Sequence, residues 1–119
     1  MSQFIETVSK MSGVTKFIIH ARKCLLDGLS PHENRTVPEL KYDWVIKLKQ
    51  DFPHLKFVIN GGFKSIESIK DILAPKNNLE GCMIGRMAYL DPWTLASVDK
   101  EIWGKDSPDL NRTEIIRTY

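Results

Sequence analysis

Cysteine is scarce in this chain of 119 residues, with only Cys24 and Cys82 present. Cys82 lies in an apolar, strand-like run where burial would leave it unreactive, so no disulfide framework is expected and a reducing, intracellular compartment is the default. Cys24 follows two cations, Arg22 and Lys23, but nothing else marks it as a nucleophile. Long apolar runs are missing too: none approaches the roughly 20 residues that cross a bilayer. Met1 to Glu6 lacks a basic start followed by a long apolar core, so no signal peptide is expected. Charge of one sign is equally short, since 17 Lys and Arg against 15 Asp and Glu leave a net +2. That surplus is too small to argue for nucleic-acid binding from total charge. Paired carboxylates, a metal-spaced His/Cys cluster and a Ser-His-Asp arrangement are all lacking, so neither a metal site nor a recognisable self-sufficient catalytic centre is expected.

What is present is a globular composition, 42% hydrophobic and 27% charged, consistent with a single domain. Apolar spacing from Phe4 to Met11, with Gly13 as C-cap, predicts a helix. Lys16 to His20 is a buried-type strand ending in histidine. Ala21 to Leu40, with Gly28, Pro31 and Pro38, predicts a long excursion rather than a regular element. Helical periodicity returns from Tyr42 to Phe52, placing Trp44, Val45, Leu48 and Phe52 on one side, and Pro53 stops it. A second strand ends in Asn60-Gly61-Gly62, and Ser65 caps a helix through Leu73. Ala74 to Glu80 reads as a loop. A third strand follows over Cys82-Met83-Ile84 and ends in Gly85-Arg86; Asp91 as N-cap and Pro92 at N1 then open a helix to about Trp103, closed by Gly104. A polar tail spans 105–119, with a short helical possibility near Thr113 to Thr118. Alternating strands and helices define an α/β fold of right-handed, parallel βα units.

Glycine turns at the ends of strands let the backbone approach a ligand closely, and Arg86 adds a planar fork suited to phosphate. Gly61 and Gly85 lie one strand-helix-strand repeat apart, so neighbouring turns on one barrel face would converge on one anion. His20 ends the preceding strand and would face the same way. A flavin or a sugar phosphate fits such a site. On the long excursion His32, Asn34 and Arg35 are candidates for an RNA backbone.

Several of these segments are specific as a set. His20-Ala21-Arg22-Lys23, Gly28-Leu29-Ser30-Pro31, Glu33-Asn34-Arg35 and Pro38 resemble the signature of tRNA-dihydrouridine synthases, A subfamily. Asn60-Gly61-Gly62, Gly85-Arg86-Met87-Ala88-Tyr89 with Asp91-Pro92, and Val98 to Gly104 follow in that family's order. The resemblance implies an FMN enzyme on a TIM-type (β/α)8 barrel, reduced by NADPH, that converts tRNA uridines to dihydrouridine. Carried over by position, His20, Asn60, Gly61, Gly62, Gly85 and Arg86 would hold FMN, and Arg35 and His32 would contact tRNA. His32 stands where a permanently charged lysine is common, which weakens that contact near neutral pH. Phe63 replaces a usual aliphatic residue.

The family's early strands and its catalytic Asn-x-x-Cys-Pro loop have no counterpart in these residues, so no catalytic residue is assigned. A complete barrel needs roughly 250 residues. The expectation is therefore the C-terminal half of such a barrel, its last three strands and their helices over 1–104. It would be partnered by a missing N-terminal half-barrel or a second copy, because an unclosed sheet exposes edges and interior apolar residues. A non-catalytic half-barrel binding module, and another phosphate-binding barrel, are the alternatives.

Overall fold

Three parallel strands carry the molecule, and their register places the candidate site. The computed structural model describes residues 1–106, 108–109 and 111–119; Ser107 and Leu110 of the expected tail lie outside the described residues. The order is α1 (Ser2–Ser12), β1 (Lys16–His20), α2 (Pro31–Asn34), α3 (Tyr42–Asp51), β2 (Lys56–Asn60) and α4 (Ile66–Ile72). After it come a 3-10 turn (Pro75–Asn77), β3 (Gly81–Met83), α5 (Arg86–Leu90), a 3-10 segment (Pro92–Ser97), α6 (Val98–Glu101) and α7 (Arg112–Thr118). The sheet runs β1-β2-β3, parallel throughout, with Lys16 opposite Lys56, His20 opposite Asn60, and Asn60 opposite Met83.

Because side chains alternate along a strand, this register sorts them onto two faces. One carries Phe17 and Ile19 of β1, Phe57 and Ile59 of β2, and Cys82 of β3. Two apolar clusters build on it. Ile5 of α1 and Leu48 of α3 pack with Phe17, Leu55 and Phe57 in the first. In the second, Val45 of α3, Ile66, Ile69 and Ile72 of α4, and Met87 of α5 pack with Ile59. The opposite face carries Ile18, Val58 and Met83, and there Ile18 and Met83 stay 58% and 47% exposed. Consistent with this one-sided cover, the radius of gyration is 17.1 Å, against about 14 Å for a compact domain of this length.

Local signals account for most boundaries. Gly13 ends α1 in the left-handed conformation at φ 70°, which costs glycine least. The Ser65 hydroxyl accepts the Ser68 N–H at the start of α4.

Other expectations are corrected. The 21–40 excursion contains α2, started by a capping box in which Ser30 Oγ accepts the Glu33 N–H at 3.2 Å and Glu33 Oε2 accepts the Ser30 N–H at 2.8 Å. Trp44 does not join Val45 and Leu48 in the core; it is 45% exposed with Lys23 Nζ 5.3 Å from its ring centroid. The third strand stops at Met83, before Ile84, and is followed at once by α5, which periodicity did not single out. The single helix expected from Pro92 to Trp103 is a 3-10 segment followed by α6, ending at Glu101. Hydroxyls there bond locally, Thr94 to the Asp91 carboxylate at 2.8 Å and Ser97 to the Thr94 carbonyl at 3.3 Å. Such bonds compete with α-helical pairing, and they occupy Asp91, which makes no side-chain cap. In the tail, the Arg112 guanidinium of α7 lies 4.8 Å from the Trp93 ring centroid.

Candidate functional site

Register sets His20, Asn60 and Met83 in one row across the C-terminal end of the sheet. Asn60 ties the row together: its Nδ2 donates to the Met83 carbonyl at 2.8 Å, and its Oδ1 lies 2.7 Å from His20 Nδ1. With the amide nitrogen committed to a carbonyl, the amide oxygen must face the ring, so His20 Nδ1 carries the proton. In the neutral ring Nε2 is then an acceptor, and it is buried with no partner. An unpaired buried acceptor costs about 1–3 kcal/mol, so this atom marks a place for an incoming donor.

The glycine turn beside it is shaped from within the chain. Gly61 and Gly62 sit at φ +126° and +74°, and a Cβ on Gly62 would come within 2.5 Å of Leu40 Cδ1. A Cβ on Gly61 would meet Leu40 at 3.1 Å and the His20 ring at 3.2 Å. The pair therefore makes room for the end of the excursion as well as baring its own backbone. Tyr42 holds the turn, its hydroxyl donating to the Gly61 carbonyl at 2.6 Å while its ring stacks on Phe63, centroids 5.3 Å apart. This stack accommodates the aromatic ring of Phe63. Burial pushes the Tyr42 phenol above its ordinary range. Gly85 differs, since a Cβ there would meet open space.

The excursion is pinned at both ends. Arg22 donates to the Pro38 carbonyl, and the Lys41 N–H donates to the Ala21 carbonyl at 2.7 Å. Asn34 is not a free RNA-facing group: its Oδ1 accepts the Leu25 N–H at 2.7 Å and its Nδ2 donates to the Leu25 carbonyl at 2.8 Å. These bonds spend its carboxamide on folding the loop. Hydrogen bonds from Ser30 hold the Glu33 carboxyl below its ordinary range. Arg86 Nη2 donates to the Arg35 carbonyl at 3.4 Å, joining the excursion to the turn after β3.

All eight predicted site residues, His20, His32, Arg35, Asn60, Gly61, Gly62, Gly85 and Arg86, line one cleft of about 770 Å³. Lys64, Asp91 and Thr94 line it too and had not been anticipated. Arg35, Lys64 and Arg86 against one carboxylate make the cleft receptive to anions. Leu40, at the end of the excursion, and Tyr42, at the head of α3, shape the glycine turn and were also missed, because their contact with Gly61 and Gly62 joins positions about 20 residues apart. Neither cysteine lines this cleft. Cys24 is exposed, and burial pushes the Cys82 thiol up to about 12. Among the described residues no group of three or more His, Cys, Asp or Glu is placed to hold a metal, and no helix is long and apolar enough to cross a membrane.

Fold and cleft together define a class: a parallel βα protein with an anion-receptive site at the C-terminal ends of its strands. Within that class the chain belongs to the dihydrouridine synthase (Dus) family, which it matches over residues 1–118. It is 49% identical over 117 residues to the tRNA-dihydrouridine(20/20a) synthase of Salmonella typhimurium, covering 98% of this chain and 34% of that protein. The Vibrio parahaemolyticus protein of the same name is 49% identical over 116 residues, covering 98% of this chain and 35% of the relative. The Escherichia coli K12 protein, again of that name, is 48% identical over 117 residues, covering 98% and 33%. The chain thus spans about a third of the length of these relatives.

Proposed function

We propose that this chain forms the C-terminal part of a TIM-type flavin barrel that reduces uridine to 5,6-dihydrouridine in tRNA, residues 1–104 being barrel and 105–119 a tail. It supplies the side of the site that holds FMN. What carries the reading is the His20–Asn60–Met83 row, with the unpartnered His20 Nε2 beside a glycine turn and a nearby cationic rim. The residues fit the group: His20 Nε2 would accept a donor from the ligand, Gly61 and Gly62 would bring bare backbone to it, and Arg86 at the Gly85 turn would give the phosphate a cationic partner. When bound, FMN supplies the hydride for the uracil 5,6 double bond, with NADPH as electron donor. Arg35 and His32, on the pinned excursion, contact the tRNA backbone.

Titrating the chain with FMN and with riboflavin, followed by flavin fluorescence, tests this. FMN binds at least about tenfold tighter, the worth of one good charged contact, and Arg86→Ala removes the difference. Equal affinity for the two flavins, or tight binding of a sugar phosphate with no flavin bound, overturns it.

A second reading is favoured by the bare sheet face, where Ile18 stays 58% exposed. In it the chain is a non-catalytic half-barrel that pairs with the rest of a barrel or with a second copy. A strictly monomeric chain that unfolds cooperatively, read by size-exclusion chromatography and urea melts, overturns that reading.

A further inference from the structure

Beside the cleft runs a second groove of about 460 Å³, between the end of β1, the start of α1 and the length of α3; His20 lines both. Its wall carries Arg22, Lys23, Lys41 and Lys47 against Asp51 alone. Two of the four cations are already compensated, Lys47 by Asp51 at 3.0 Å and Lys41 by Glu39. Arg22 and Lys23 have no carboxylate within 4.0 Å among the described residues. Arg22 spends one nitrogen on the Pro38 carbonyl, while its Nε is buried without a partner. Above them stands the indole of Trp44, 45% exposed, with Lys23 Nζ 5.3 Å from its centroid. A large exposed aromatic next to uncompensated positive charge is the pairing that single-stranded nucleic acids use, the ring for a base and the cations for the phosphates.

We propose that Lys23 and Trp44 form a second nucleic-acid contact, a basic stacking platform for an unpaired RNA nucleotide next to the cleft. The proposal rests on the reading of the cleft as an RNA-reducing site and extends it outward along the same strand. A stacked base binds an indole more strongly than an exposed ammonium does. The arriving base therefore displaces Lys23 from the ring, and the freed ammonium turns to the neighbouring phosphate. Charge selects this occupant over an apolar peptide, because a peptide laid in the groove would leave Arg22 and Lys23 covered and unpaired.

Anisotropy of a fluorescently labelled, unmodified tRNA, titrated with the full chain at several salt concentrations, provides the test. Trp44→Leu weakens binding about tenfold and Trp44→Phe restores most of it, following the worth of one base-aromatic stack. Lys23→Ala, a surface change that leaves the fold intact, weakens binding and lowers the salt slope by about 1. Arg35→Ala serves as the arm that reports on the cleft. If Arg35→Ala weakens binding while the Lys23 and Trp44 variants match wild type, the platform is overturned and the RNA reading of the cleft stands. If wild type binds no tRNA at low salt, both fall. If Trp44→Leu alters self-association but leaves RNA affinity unchanged, the groove belongs to a second copy of the chain and the proposal is overturned.

Discussion

On one face of the sheet Phe57 and Ile59 are fully buried beneath helices, whereas on the other Ile18 and Met83 keep 58% and 47% of their surface exposed. Parallel sheets normally bury both faces. The covered face is held by α1, α3, α4 and α5, whose apolar stripes lie close in sequence to the strands they cover. The bare face has no such local partner, and it also carries the His20–Asn60–Met83 row. Packing and the candidate site are thus divided between two sides of the same short strands, and the candidate site residues His20 and Asn60 are ones not committed to the core.

The contrast breaks most directly at the centre of the sheet. Ile59→Ala, at 0% exposure, should cost about 2–5 kcal/mol of stability, while Ile18→Ala, one strand over on the bare face, should stay within about 0.5 kcal/mol. Urea unfolding followed by circular dichroism compares them, and equal losses would mean that the bare face is covered in solution.

A smaller contrast separates the two glycine turns. Gly62→Ala, at φ +74° and with Leu40 only 2.5 Å from the new methyl, should destabilise by about 1–3 kcal/mol. Gly85→Ala, which meets open space, should be close to neutral in the same melts. Should Gly85→Ala cost as much, the turn after β3 is packed more tightly than its surroundings indicate.

Asn60→Ala sharpens the comparison at the functional row. It strips the partners from His20 Nδ1 and the Met83 carbonyl, at about 1–2 kcal/mol. It should also release the imidazole to a mixture of tautomers, visible in its nitrogen chemical shifts. An unchanged single tautomer would show that Asn60 does not set it.

The last effect lies back on the covered face, is absent at neutral pH and develops only in alkali. Burial raises the Cys82 thiol from 9.0 to about 12, and the Tyr42 phenol above its ordinary range. A group whose folded value is raised contributes stability that is complete below its unfolded value and lost as pH climbs to the folded one. Stability should therefore fall between about pH 9 and 12, and Cys82→Ala should flatten part of that decline. In thiol titrations of the native chain, exposed Cys24 should react first and Cys82 only on unfolding; simultaneous reaction would contradict the burial.

Much of this was legible in the residues. The strand positions, the cap at Gly13, the start of α4 at Ser65 and the grouping of His20, Asn60, Gly61 and Arg86 follow from short-range patterns and βα order. The capping box at Ser30 and Glu33 was legible as well, since its spacing is local, but it was hidden within a stretch rich in glycine and proline. Trp44 was misplaced because periodicity assigns a face without knowing how wide the covered strip is; in α3 only Val45 and Leu48 are buried, with Ile46 and Tyr42 at the margin. Asn34 was misjudged for the opposite reason, its partners at Leu25 being set by how the loop folds back.

The sequence by itself determined the alternation of parallel βα units, the strand ends with their glycine turns and the residues competent to hold an anion, because each depends on neighbours a few positions away. Only the tertiary structure decided the proton on His20 Nδ1, the Leu40 contact that makes glycine necessary at Gly62, and the joining of Arg35 to Arg86. Each of these needs distances between residues that the chain brings together only after the strands have paired and the excursion has folded back over their ends.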